Sequence, residues 1–191
     1  MSEAGKTGPR WVQRGAQRWA LWLPLALFAG FVVLAVVGMV RPGNREVASA
    51  MIGKPVPGFT LPPAIDGRPG LSSQDFRGGQ PVLLNVFASW CIPCAVEAPQ
   101  LENLRRQGVP IFGVAIRDRK DHVAAFLALN GNPFARIGAD DVSAVQLALG
   151  SSGVPETFVV DGHGVIRYQH IGEIRPDQVP MILQKLREAG R

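Results

Sequence analysis

The chain has 191 residues, of which 47% are hydrophobic and only 18% charged, with a formal net charge of +5. That length suits one ordinary domain with accessories, and so apolar a balance in a short chain directs attention first to a membrane segment. The first 18 residues carry +3 of the charge; no run interleaves basic and aromatic residues, so nucleic-acid binding is excluded.

Residues 1–18 read as a tail holding Lys6, Arg10, Arg14 and Arg18 against one acid, Glu3. Residues 19–40, WALWLPLALFAGFVVLAVVGMV, contain no charge. As a helix they reach about 33 Å, enough to cross a hydrocarbon core. A buried core helix rarely stays apolar on every face for so long. Basic flanks stay on the cytoplasmic side, so the tail is expected in the cytoplasm and everything after Arg41 outside it. The small residues Ala48, Ser49 and Ala50 resemble a signal-peptide cleavage site. They lie well past the apolar run, beyond Arg41 and Arg45. The expectation is therefore an uncleaved transmembrane anchor at 19–40, a linker at 41–50 and an exported domain at 51–191.

Within that domain, residues 52–70 are rich in Pro and Gly and suggest coil with an edge hairpin. Residues 81–88, PVLLNVFA, form a continuous apolar run, the pattern of a strand buried on both faces. A helix is expected from Ile92 to about Gln107, a second buried strand at 110–116, a helix at 120–131 ended by Gly131, and a short helix at 141–150. Residues 156–172 read as two strands around a tight turn at 161–164, and 176–190 as an amphipathic closing helix. The alternation implies an α/β fold, a mixed sheet with helices on both faces.

Cys91 and Cys94 are the only cysteines. As a structural staple they would close a very small loop, which constrains little of the unfolded chain. As a zinc site they lack partners, since only His122, His163 and His170 are available and structural zinc takes about four ligands. A copper(I) site on the two thiolates is a further alternative. The redox reading fits the local pattern, because a C-x-x-C between a buried strand and a helix is a thioredoxin-like motif. Cys91 would sit at the helix N-terminus, where free amides and the helix dipole favour a thiolate. Cys94, one turn on, could resolve a mixed disulfide.

WCIPC at 90–94, followed by GVPETF at 153–158, resembles the membrane-anchored DsbE/CcmG type of thioredoxin-like protein. IGKPVPGFTLP at 52–62, NGNPF at 130–134 and the segment 153–172 extend the likeness. The resemblance implies a thioredoxin-like fold with an N-terminal hairpin and a central insertion, and a periplasmic reductant serving cytochrome c maturation. It makes Cys91 the nucleophile and Cys94 the resolving cysteine of a redox-active disulfide. It has Trp90 shield the site, and places Val154 and Pro155, joined by a cis bond, opposite the cysteines. It marks Glu97 and Glu156 as the acids of this branch. Its acceptor is apocytochrome c or a haem-ligation thiol protein, and its donor a membrane thiol-disulfide reductase; no cofactor or resident metal is expected. It also places the chain in a bacterial inner membrane. Phe87, where such proteins often carry tryptophan, and AIRD at 115–118 depart from the pattern.

Glu97 shares a helical face with Cys94. It is either a surface residue or a buried acid whose raised pKa lets it move a proton. Glu156 is either a solvated strand start or a groove residue touching the partner. No basic residue lies between the cysteines, so the pair is expected to be reducing, nearer to about −270 mV than to about −120 mV. A general oxidoreductase of exported proteins and a copper(I) metallochaperone are the alternatives.

Overall fold

The computed structural model describes residues 11–40 and 50–191, and these two stretches belong to separate units. In the first, helix α1 spans Trp11–Val40. Its side chains are described from 22 to 38, and all of these residues are exposed. Among the described residues no helix is long and apolar enough to cross a membrane. The expected span at 19–40 falls within α1, but its terminal side chains lie outside the described residues. So do residues 1–10 of the expected tail and 41–49 of the linker.

The second unit is built on a five-stranded mixed sheet in the order β5-β4-β3-β6-β7. β3 (Val82–Phe87), β4 (Ile111–Ile116) and β6 (Glu156–Val160) are buried at every residue, as their apolar runs require. β4 lies parallel to β3 and to β5 (Arg136–Asp140); β6 runs antiparallel to β3 and to β7 (Ile166–Ile171). A separate two-stranded hairpin, β1 (Thr60–Leu61) with β2 (Leu71–Ser72), lies in the expected Pro- and Gly-rich stretch.

Helix α2 (Ile92–Arg106) joins β3 to β4, and α3 (Lys120–Asn130) joins β4 to β5. Both crossovers step the same way across the sheet, so right-handed connections place both helices on one face. Phe87 shows this face directly, with the α3 residue Phe126 at 6.0 Å and Phe134 stacked on it at 4.7 Å. Gly113, beside Asn85 in register, makes room for that stack: a Cβ there would lie 3.0 Å from Phe87 and 3.1 Å from Phe134. Helix α5 (Val179–Ala189) joins them, with Lys185 over the ring of Tyr168. Helices on both faces were expected and are found: α2, α3 and α5 share one face, and a short helix at 144–148 starts on the other, its first amides bonded to the Asp140 carboxylate, which points away from the Phe87 face.

The N-terminal segment covers much of the other. Phe76 packs edge-on against Phe112 at 5.4 Å, and Leu61 and Leu71 press on Gly138. The short helix α4 (Ala144–Ala148) follows β5. Strand β5 itself was not foreseen. Its sequence, RIGAD, has a glycine in the middle because the hairpin takes the space a side chain would fill: a Cβ on Gly138 would sit 2.7 Å from that of Leu61. The hairpin β6–β7 turns at Gly164, with φ 83°, while Asp161 accepts from the amides of His163 and Val165 at 2.9 Å each.

Candidate active site

Cys91 and Cys94 form a disulfide. Strand β3 ends at Phe87, and the three residues Ala88, Ser89 and Trp90 lead to Cys91 at the N-cap of α2. There its sulfur accepts the Cys94 amide at 3.2 Å. Once the bond is reduced, that amide and the aligned peptide dipoles of α2 face whatever charge develops on Cys91. Both cysteines are nearly covered, while the flanking Trp90 and Ile92 are 55% and 79% exposed. The entrance is thus an apolar rim around a sulfur pair.

The rim is held from β4. Asp118 accepts from the Ser89 hydroxyl at 2.8 Å and from the Ser89 and Arg119 amides. Trp90 donates its indole N–H to the Arg117 carbonyl at 3.3 Å. Arg117 is left-handed, with φ 43°, a conformation that costs a residue with a side chain roughly 1–2 kcal/mol.

The Val154–Pro155 bond is cis. Because Glu156 opposes Val86 in register, the loop before β6 lies at the same end of the sheet as the turn leading to Cys91. Glu156 is fully buried, neither a solvated strand start nor displayed in a groove. Its carboxylate accepts from the Ser151 hydroxyl at 2.6 Å, from the Ser152 amide at 2.9 Å, and from the Gln169 side chain. It therefore ties the two ends of the loop that carries the cis bond.

Glu97 is fully buried as well. Asn85 Nδ2 donates to its Oε1 at 2.8 Å and the Ile174 amide to its Oε2 at 3.1 Å. Burial pushes its pKa from an ordinary 4.5 up to about 7; the Asn85 and Ile174 hydrogen bonds pull it down, and nearby Glu173 raises it. The acid thus titrates near neutral pH one helical turn beyond Cys94, suited to taking and returning a proton. Asn85 also donates to the Thr157 hydroxyl at 3.0 Å. Asn85, Thr157, Ser151 and Gln169 were missed in the sequence. A signal existed only for Asn85, the single polar residue inside an otherwise apolar strand. Among the described residues no group of three or more His, Cys, Asp or Glu side chains is placed to hold a metal.

A sulfur pair at the start of a helix, beside a cis-proline loop on a mixed five-stranded sheet, defines a thioredoxin-like thiol-disulfide oxidoreductase. The redoxin family matches residues 51–186. HelX of Rhodobacter capsulatus, a thiol:disulfide interchange protein, is 38% identical over 159 residues, covering 83% of this chain and 90% of that protein. DsbE of Escherichia coli, also a thiol:disulfide interchange protein, is 36% identical over 166 residues, covering 84% and 89%. A crystal structure described as a DsbE-type protein of Chlorobium tepidum superposes with a TM-score of 0.63 at 26% identity, covering 75% of this chain and all of that one. The chain belongs to the redoxin family and is of the DsbE/CcmG type.

Proposed function

We propose that the domain reduces protein disulfides in the periplasm during cytochrome c maturation, its acceptor being apocytochrome c or a haem-ligation thiol protein. The observation that carries the reducing direction is Glu97, a buried acid beneath a C-x-x-C with no base between its cysteines. A strong oxidant needs a thiolate stabilised far more than this site provides. The cytochrome branch is supported by the likeness of WCIPC and GVPETF to DsbE-type proteins. Residues 19–40 act as the anchor, supported by their 22 uncharged residues; 1–18 lie in the cytoplasm, 41–50 link, and 51–191 form the periplasmic domain. The periplasm keeps thiols oxidised, so a membrane thiol-disulfide reductase must resupply electrons. Anchoring both partners raises their effective concentration.

In the reaction, Cys91 attacks one sulfur of the partner disulfide and the other leaves as a thiolate. Cys94 gives its proton to Glu97 and attacks Cys91. This closes the Cys91–Cys94 bond and releases the partner's second thiolate, and both partner thiolates are protonated from solvent. Trp90 shields the pair, and the loop at Val154 and Pro155, held by Glu156, aligns the incoming chain. Replacing Cys94 by Ser in the full chain should leave the partner joined to Cys91 in native membranes. Adducts with an apocytochrome c or a haem-ligation component support the reading. A wide scatter of envelope proteins points to a general oxidoreductase, and no adduct brings the copper(I) role forward.

A further inference from the structure

Arg117 follows the last residue of β4, beside the entrance. Register places it there: β4 runs parallel to β3 with Ala115 opposite Phe87, so Arg117 is level with the residues that lead to Cys91. Its backbone is committed on both sides. The carbonyl accepts the Trp90 indole N–H at 3.3 Å, and the amide donates to the Asp140 carbonyl at 3.1 Å. Asp140 is itself fixed, its carboxylate accepting the amides of Ala144, Val145 and Gln146 at 2.8, 2.9 and 2.9 Å. Between these anchors Arg117 is left-handed, with φ 43°, a conformation that suits glycine and strains a side chain. Such an outlier beside a reactive centre points to a use for the side chain. That side chain is exposed, and it makes no ion pair or hydrogen bond with a described residue. Asp118 is engaged by Ser89 and the Arg119 amide, and Asp121 by Arg119. Asp141, just past β5, is exposed and makes no ion pair with it. The rest of the rim, Trp90 and Ile92, is uncharged.

We propose that Arg117 determines specificity: its guanidinium takes a carboxylate that the partner carries beside its disulfide, so that disulfides with an acidic neighbour are reduced in preference to those with a basic one. This rests on the reading of the chain as a reductant that attacks through Cys91. A partner whose sulfur reaches Cys91 must lie across Trp90 and Ile92, and so beside Arg117. Arginine presents a flat fork of donors that takes both oxygens of a carboxylate at once. Covering the rim excludes water, which strengthens an ion pair formed there. The two backbone hydrogen bonds offer the side chain from a fixed point, which reduces the ordering still to be done when the carboxylate arrives. Arg117 has no part in the exchange of sulfur bonds; it selects the chain that enters the exchange.

The test uses the reduced full chain and short peptides closed by one disulfide, identical except for a glutamate, glutamine or lysine next to one cysteine. Each rate is divided by that of dithiothreitol with the same peptide, which removes the peptide's own reactivity. One exposed charge pair is worth about threefold, so the glutamate peptide should react about tenfold faster than the lysine peptide, with glutamine between. Arg117→Gly should bring that ratio close to one, and Arg117→Glu should invert it. Arg187→Gln removes the same charge from α5, beside Pro81 and Pro110 at the other end of the sheet, and should keep the ratio within about twofold. Relief of the left-handed strain should raise the folding constant of Arg117→Gly by up to about tenfold, which urea unfolding reads, so lost preference is not lost structure. Should that variant fold poorly, the inversion in Arg117→Glu decides. A ratio near one in the unmodified chain, or a ratio that survives in Arg117→Gly, overturns the proposal. An equal loss in Arg187→Gln also overturns it, by assigning the preference to net charge. If no peptide is reduced, the glutamine one included, the reading of the chain as a reductant fails and this inference fails with it.

Discussion

Glu97→Gln should reverse the order of stability between mutant and parent across the pH range. The native carboxyl titrates at about 7, against an ordinary 4.5. Between those values the native state binds more protons than the unfolded chain, so stability falls as pH rises through this window. The loss is absent below about pH 4.5 and complete above about pH 7, where it is worth about 3 kcal/mol. Glutamine has no charge to lose. It does have one oxygen where the carboxyl has two, and both carboxyl oxygens are used, by Asn85 and by the Ile174 amide. One N–H left poorly paired costs about 1 kcal/mol. The variant should therefore be about 1 kcal/mol less stable than the parent at pH 4.5 and about 2 kcal/mol more stable at pH 8. Urea unfolding of the oxidised chain at closely spaced pH values reads both differences. A constant offset between the two curves would refute burial as the cause of the shifted acid.

Asp118→Ala removes the acceptor of the Ser89 hydroxyl and of two amides; it should cost about 1–2 kcal/mol and speed hydrogen exchange at residues 89–91, which mass spectrometry can follow. Gly138→Ala should cost about 1–3 kcal/mol through overpacking against Leu61, with the loss seen first as proteolysis in the β1–β2 hairpin. Gln169→Ala frees one side of Glu156 and should slow reaction with a protein disulfide several-fold while a small disulfide reagent reacts as before; equal slowing of both would contradict a role in loop alignment. The midpoint potential against a thioredoxin or glutathione couple should fall nearer to about −270 mV than to about −120 mV, and a value above about −160 mV would rule out the reducing assignment.

The strands were legible where burial on both faces made them continuously apolar, as in β3, β4 and the start of the β6–β7 hairpin. The C-x-x-C was legible because its chemistry is local: two cysteines, a helix start and a preceding strand are all visible within one short stretch. Strand β5 was hidden because its composition answers to a distant neighbour. Gly138 is there for Leu61 and Leu71, and a glycine in a short polar run reads as a turn. Which face each helix takes was hidden for a related reason. Periodicity marks an amphipathic face but not which side of a sheet it meets; that follows from strand order, and strand order depended on the missed β5. Asn85 stood out in its strand, yet its partners Glu97 and Thr157 come from other elements, and only the fold joins them.

The two buried glutamates are a case in which sequence proximity to the site misleads about role. Both lie close to the disulfide along the chain or across the sheet, and the resemblance marks both as acids of one branch. Register separates them. Asn85 and Thr157 are paired and share the helix face with Glu97, whereas Glu156 pairs with Val86 on the opposite face. The sheet itself therefore stands between the two carboxylates. Glu97 can act on the sulfurs, since α2 carries it beside Cys94 and burial brings its pKa to about 7. Glu156 is committed to Ser151, Ser152 and Gln169, all of which belong to the cis-proline loop or to the strand beside it. Its means of influence is the shape of that loop. Variants at the two positions should accordingly differ in kind: those at Glu97 should alter the pH profile of disulfide resolution, and those at Glu156 should alter which protein disulfides are accepted.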